Sequence, residues 1–410
     1  MEKLIPKSGR FIVVLMLVSS SVLFFRLHRN KLQSWDEAVY AESAKEMAQG
    51  GDWLTPHWNQ EPFYQKPPLA IWLTAILFRW FGVNELNARA FSAVCGVACV
   101  VLTFLIVATF LPATHAFLTA LVLLVTPHFN YYARQGLMDV PLTAFLLLAI
   151  YSYIRSKNGK LWWILVGCAF GLAVLTKGVA ALPGILAVAT AIVFARERPW
   201  QLREFWIGVS LFVVIAGSWH LAMLLVHGRP FVSEYIGGQI LSRSVSTFDT
   251  NPLGPAAYVK IAVLGFLPFT PFLIAGAIRI WQTRRFAVSL ALLGLFVLLL
   301  YSLVPTKHPW YIVPIYPVLA AILCSVKRIP RVLAAVLIIS AAIYCWMLDA
   351  AIPGLHLAVP VAVEQARKTT GPLNVPIDIA PAVLFYTDRK ICTDAPHHSM
   401  GRLTRCGSNP

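Results

Sequence analysis

Apolar runs of roughly membrane length recur from end to end of this chain, separated by short polar stretches that carry most of its charge. About 20 predominantly apolar residues are needed to cross a bilayer as a helix. Eleven segments fit that pattern, near 11–27, 86–109, 113–130, 138–154, 161–177, 179–195, 205–226, 257–279, 286–305, 310–326 and 331–349. The run 68–81 (PLAIWLTAILFRWF) is too short and too interrupted to cross, and reads as a juxtamembrane helix lying along or dipping into the outer surface. The opening MEKLIPKSGR and the apolar FIVVLMLVSSSVLFF have the layout of a signal sequence. Arg26, His28 and Arg29 follow with no small-residue cleavage site, so the segment reads as a retained anchor.

These elements predict an all-α polytopic membrane protein. A transmembrane domain covers 1–349, with a long first outer loop at 28–85, and a short outer segment covers 350–410. That segment has one helical pattern (VAVEQARK) and two strand-like runs (VPIDI and AVLFYTDRKI), which suggests a small α/β tail. It offers too little for a large core of its own.

Composition sharpens the class. The chain is 58% hydrophobic and 13% charged, far more apolar than a soluble domain requires, and its formal net charge is +16. With a cytoplasmic amino terminus, the inner loops hold Lys3, Lys7, Arg10, Arg155, Lys157, Lys160, Arg196, Arg198, Arg203, Arg279, Arg284, Arg285, Lys327, Arg328 and Arg331, against Glu2, Glu197 and Glu204. Concentration of Lys and Arg on one face fixes topology and favours anionic lipid headgroups, so the basic balance points to the membrane and away from nucleic acid. Cys95, Cys99, Cys168, Cys324 and Cys345 lie in apolar spans and read as packing residues. Cys392 and Cys406 lie in the outer segment, where an oxidising compartment would favour a disulfide between them. The sequence has no CxxC pair, metal-ligand spacing or glycine-rich phosphate loop.

The candidate chemistry is in charges that stand at apolar helix ends, where each costs a few kcal/mol unless paired or used. In the eleven-span arrangement the unusual ones fall on the outer face. Asp36 and Glu37 follow the first span, and Lys66 follows in YQKPP. Arg134 and Asp139 stand in YYARQGLMDVPLT, Lys177 in LTKG, Glu234 and Arg243 in FVSEYIGGQILSR, and Lys307, His308 and Tyr311 in PTKHPWYIVPIYP. Plainer readings stand beside these. Lys177 could snorkel to headgroups; Arg134 and Asp139 could be a structural ion pair; Glu234 and His308 could be solvated loop residues. Glu42 and Glu46, with Lys45 nearby, read as the wet side of an amphipathic helix. The aromatic residues of the first loop, Tyr40 and Tyr64 among them, suit sugar-face stacking and equally an interfacial belt. A carboxylate can accept or orient the proton of an attacking hydroxyl, and fixed cations can take the charge that builds on a departing phosphate.

Asp-Glu after the first span, Tyr-Gln-Lys-Pro-Pro at 64–68, Arg-x-x-x-x-Asp-x-Pro from Arg134, Leu-Thr-Lys-Gly ending at Gly178 and Tyr-Ile-x-Pro from Tyr311 occur in that order. Together they resemble the C-type glycosyltransferases, and within them the bacterial lipid A aminoarabinose transferases and dolichyl-phosphate-mannose protein mannosyltransferase-like relatives. The resemblance implies an inverting transfer of a sugar from polyprenyl (undecaprenyl) phosphate to a lipid, glycan or protein acceptor. It places the site on the periplasmic face of the bacterial inner membrane and requires no metal or other cofactor. It makes Asp36 the catalytic carboxylate, with Glu37 beside it organising hydrogen bonds. Lys66, Arg243 and Arg134 would bind the donor phosphate. Tyr40, Tyr64, Asp139, Lys177, Glu234, Lys307, His308 and Tyr311 would line the cavity. Where the aminoarabinose enzymes usually have arginine before the tyrosine, glutamate before the lysine and histidine shortly before the loop arginine, this chain has Val39, Gln65 and the Gly238–Gln239 stretch. Those changes imply another sugar or acceptor. The rival expectation, a lipid-linked sugar transporter without chemistry, would favour inverted repeats and polar breaks at mid-membrane.

Overall fold

The computed structural model describes residues 5–32, 35–246, 254, 256–283, 287–326, 335–336, 339–340, 355–368, 373–375, 379–387, 389 and 391–392. Helix α1 (Ile5–Phe24) is followed by α2 (Asp36–Gly50), a two-residue β-hairpin pairing His57–Trp58 with Glu61–Pro62, and α3 (Leu69–Phe81). Asn59 and Gln60 both take positive φ in the hairpin turn, the conformation a two-residue loop between twisted strands demands. Then come α4 (Glu85–Val107), α5 (Ala113–Val125), α6 (Pro127–Ala133), α7 (Asp139–Arg155), α8 (Trp162–Lys177), α9 (Leu182–Phe194) and α10 (Arg203–His227). A π-helix at Val232–Ser242 leads to α11 (Ala257–Gly265), α12 (Leu273–Thr283), α13 (Val288–Leu303), a 3-10 turn at Pro309–Ile315, α14 (Tyr316–Leu323), α15 (Leu355–Arg367) and α16 (Ala380–Thr387).

By length and composition, three described helical stretches can cross a membrane, Glu85–Val107, Trp162–Phe194 and Arg203–His227, or five if two bent pairs each count as one. The bends are 68° between α5 and α6 and 103° between α11 and the following helix, so the expected 257–279 span is a broken one. The stretch Trp162–Phe194 is not a single rod. A side chain at Gly184 would meet Phe170 Cε1 at 3.4 Å, whereas residues 14 apart in a straight helix stand about 21 Å apart. The chain therefore turns back at Gly178, and α8 and α9 run as separate segments. The expected span 331–349 lies almost wholly outside the described residues.

α10 packs along α8. Gly167 and Gly208 bring their backbones into direct contact, leaving no room for a Cβ on either; small residues are how helices approach closely where lipid supplies no hydrophobic drive.

Two expectations about the outer layer need correction. The run AVLFYT is helix, within α16, rather than strand; among the described residues of this segment, Leu373–Asn374 pairs in parallel with Ile391–Cys392. The side of α2 that reads as wet is also partly covered. Glu42 and Lys45 are buried and paired at 2.6 Å, and Lys45 Nζ donates to Phe385 O of α16 at 2.8 Å. The carboxyl-terminal segment covers the face that periodicity left for water. Asn59 exchanges hydrogen bonds with the backbone of Ile391, and Tyr386 accepts from Leu32 N while donating to Glu85. The proposed Cys392–Cys406 pairing lies outside what is described.

Candidate active site

The residue before Asp36 sets its place. Trp35 adopts φ 58 and ψ −103, a sparsely populated region costing on the order of 1–3 kcal/mol for a side-chain-bearing residue. The chain enters α2 through that turn, so Asp36 opens the helix, where a carboxylate also faces the positive end of the helix dipole. Glu37 is held elsewhere. It is 2% exposed and takes a two-pronged ion pair from Arg89, with Nε to Oε1 at 2.7 Å and Nη2 to Oε2 at 3.1 Å. Arg89 spends its remaining donors on the carbonyls of Leu27, Asn30 and Lys31. Gly136 N donates to Glu37 Oε1 at 2.9 Å. This hub joins the segment after α1, the start of α4, the first turn of α2 and the loop before α7. Glu37, expected with Asp36 among the catalytic groups, is a buried carboxylate paired with Arg89, and Asp36 stands next to it at the start of α2.

Asp36 and Tyr40 line one small cavity, about 20 Å³, with Trp35, Val39, Phe63, Gln65, Lys66 and Arg243. Lys66 arrives from the first loop, fixed by Pro67 and Pro68 after it, and its Nζ lies 3.5 Å from Gln239 Oε1 of the π-helix. Arg243 follows the π-helix directly, its Nη1 within 3.5 Å of Tyr311 Oη. Its Nε is buried without a hydrogen-bond partner. Lys177 and Asp139 form a buried ion pair at 2.6 Å, and Lys177 Nζ stands 4.8 Å from the centre of the Tyr311 ring. Burial, then the Arg243 charge, lowers the Lys66 ammonium from its usual range to about 7, with Asp36 opposing. Burial followed by the charges of Asp36 and Asp139 raises the Tyr40 phenol well above its ordinary value, keeping it a neutral hydrogen-bonding group.

Asp36, Tyr40, Lys66, Asp139, Lys177, Arg243 and Tyr311 therefore interact at one place, although they come from six separate stretches of chain. Asp139 and Lys177 satisfy each other, leaving Asp36 with two cations, Lys66 and Arg243. The other expected residues fall differently. Arg134 neither binds at this cavity nor pairs with Asp139: it donates to the carbonyls of Val22, Leu23 and Phe25 at 2.7–2.9 Å and caps the end of α1. Tyr64 belongs to a separate apolar cluster, its hydroxyl 3.1 Å from His227 Nδ1. Lys307 donates to Val304 O at 2.6 Å. His308 stacks on Trp310 at 4.7 Å and meets Tyr311 edge-on. Glu234 lies half-buried in the first turn of the π-helix. Sequence reasoning missed Arg89 and Gln239. Arg89 carried a usable signal, since a guanidinium near the start of an apolar span demands a partner; the signal for Gln239 was its place in the stretch where the aminoarabinose enzymes have a histidine.

The chain is similar to several known proteins. A family model described as dolichyl-phosphate-mannose-protein mannosyltransferase matches residues 65–222. An uncharacterized protein of Aquifex aeolicus is 31% identical over 76% of this chain and 63% of its own length. An undecaprenyl phosphate-alpha-4-amino-4-deoxy-L-arabinose arabinosyl transferase of Enterobacter sp. is 27% identical over 77% of this chain and 59% of its own. The chain thus spans about three fifths of the length of these curated relatives. The crystal structure of ArnT from Cupriavidus metallidurans bound to undecaprenyl phosphate superposes with a TM-score of 0.77 at 20% identity, covering 93% of this chain and 85% of that one. This chain has the C-type glycosyltransferase fold. The archaeal oligosaccharyltransferase AglB from Archaeoglobus fulgidus shares it more distantly, with a TM-score of 0.61 at 13% identity over 96% of this chain and 65% of that one.

Proposed function

We propose that the protein is a membrane glycosyltransferase that moves a sugar from a polyprenyl-phosphate donor to an acceptor hydroxyl or amine at the outer face of the cytoplasmic membrane. The observation that carries this reading is the meeting of Lys66 and Arg243, from segments far apart in sequence, beside Asp36 in one cavity. The fold shared with ArnT and the arabinosyl transferase relatives supports the class of reaction.

The chemistry follows from the charges. Asp36 orients the acceptor and takes its proton as the acceptor atom bonds to the anomeric carbon. The bond from that carbon to the phosphate oxygen breaks, and its electron pair leaves with the carrier phosphate. Lys66 and Arg243 take up that charge; the unpartnered Nε of Arg243 gives the guanidinium a donor to spend on a phosphate oxygen. Tyr311 and Tyr40 supply neutral hydroxyls, and the Asp139–Lys177 pair sets the floor without adding net charge. Val39 and Gln65 stand where the aminoarabinose enzymes usually carry charge, which favours another sugar or acceptor than theirs.

Mass spectra of envelope lipids, glycans and proteins from cells with and without the gene test this directly. One acceptor class should lose the mass of one sugar, and a copy carrying Asp36→Asn should fail to restore it. Unchanged spectra, or full restoration by Asp36→Asn, would overturn the proposal.

A further inference from the structure

The apolar cluster that claimed Tyr64 is separate from the main core and is built on α10: Tyr64, Leu175, Trp219, Met223, Phe231 and Tyr235. Two histidines of α10, seven residues and so about two turns apart, lie on one face of that helix. Each grips a phenol. His227 Nδ1 lies 3.1 Å from Tyr64 Oη, and its Nε2 lies 2.8 Å from Thr55 Oγ1 of the first loop. His220 Nδ1 lies 2.6 Å from Ala216 O, which can only accept, so the proton sits on Nδ1; Nε2 is then the acceptor for Tyr235 Oη at 3.0 Å.

The two phenols stand just ahead of the two phosphate-facing cations. Tyr64 precedes Lys66 with only Gln65 between, and the prolines that follow make that link stiff. Tyr235 lies in the π-helix that carries Gln239, the partner of Lys66, and ends at Arg243. Tyr235 also presses on the third cation-bearing segment: its Oη lies 2.6 Å from where a Cβ on Gly178 would be. Gly178, at φ 57, immediately follows Lys177, so only glycine fits there on both counts. α10 itself is fixed by its glycine contact with α8.

We infer that His220 and His227 are positioning residues that set the separation of Arg243 and Lys66 by holding Tyr235 and Tyr64 against one rigid helix. The inference rests on the transferase reading and assigns this cluster the task of fitting the cation pair to one phosphate. It concerns carrier affinity, since neither histidine reaches the cavity.

Binding of undecaprenyl phosphate, without sugar, to purified protein separates the two claims. Tyr64→Phe and Tyr235→Phe keep each ring and remove only the hydroxyl. Each should raise Kd about fivefold and raise KM for donor similarly, with kcat changing less than about twofold. Tyr64→Phe combined with His227→Leu should weaken binding no more than His227→Leu alone, because removing the histidine already breaks the Tyr64 bond along with its bond to Thr55, whereas Tyr64→Phe with Tyr235→Phe should multiply. His227→Gln, which keeps a donor and an acceptor, should recover part of the affinity lost in His227→Leu. Lowered melting temperatures with unchanged Kd in both phenylalanine variants would make the cluster merely structural and overturn the inference. Wild-type protein that does not bind the carrier would overturn the transferase reading itself, and this inference with it.

Discussion

Lys66 is the side chain whose environment makes the most measurable demand. Its ammonium is buried beside Arg243, and both effects lower its affinity for a proton to about 7. A free site near neutral pH therefore holds a mixture of charged and neutral lysine, and an anionic carrier selects the charged form. The sign follows: as Lys66 loses its proton, affinity for polyprenyl phosphate falls by up to tenfold for each pH unit above about 7. Lys66→Arg, charged throughout, should flatten that profile. A wild-type Kd constant from pH 6 to 9 would contradict the placement of Lys66 against the phosphate. Tyr40 stays neutral over this range because its shift is upward, so it does not blur the measurement.

At the scale of elements, the Arg89–Glu37 hub does most to place Asp36. Both partners are about 3% exposed or less, and five hydrogen bonds of the arginine tie α2 to the segment after α1 and the start of α4. Arg89→Met leaves a buried carboxylate without its charge partner, which costs about 3–5 kcal/mol. Thermal melting in detergent should show that loss, and Glu37→Leu with Arg89→Met should recover most of it; a melting point for Arg89→Met within error of wild type would contradict the hub. The same region shows what a sequence can and cannot reveal. Asp36, Lys66, Asp139, Lys177, Arg243 and Tyr311 were legible because each stands at an apolar helix end where charge or hydroxyl is costly. Arg134 looked identical by that criterion, yet the open carbonyls at the end of α1 claimed it. Tyr64 was legible as aromatic but not as His227's partner, since that contact joins segments 163 residues apart.

Across the whole molecule, the C-type fold brings Asp36, Lys66 and Arg243 to one cavity and packs the carboxyl-terminal segment against α2, the first loop and the start of α4. The covering of Glu42 and Lys45 by α16 could not be read from periodicity, because the partner lies 340 residues away. The alternation of apolar runs did reveal the class of fold, and the skewed distribution of Lys and Arg makes a topological prediction. A single cysteine at the exposed Gln49, near the end of α2, should react with a membrane-impermeant thiol reagent added outside spheroplasts. One at the exposed Arg198 should react only after the membrane is opened. Labelling in the reverse order would put the cavity in the cytoplasm.

Transfer itself gives the most direct test. Purified protein, a polyprenyl phosphate bearing a radiolabelled sugar, and envelope extract as acceptor should together move the label off the carrier. Asp36→Asn should bind undecaprenyl phosphate as wild type does and move none. Label that stays on the carrier while the lipid crosses the bilayer, or an asparagine variant that turns over normally, would contradict a transferase built around Asp36.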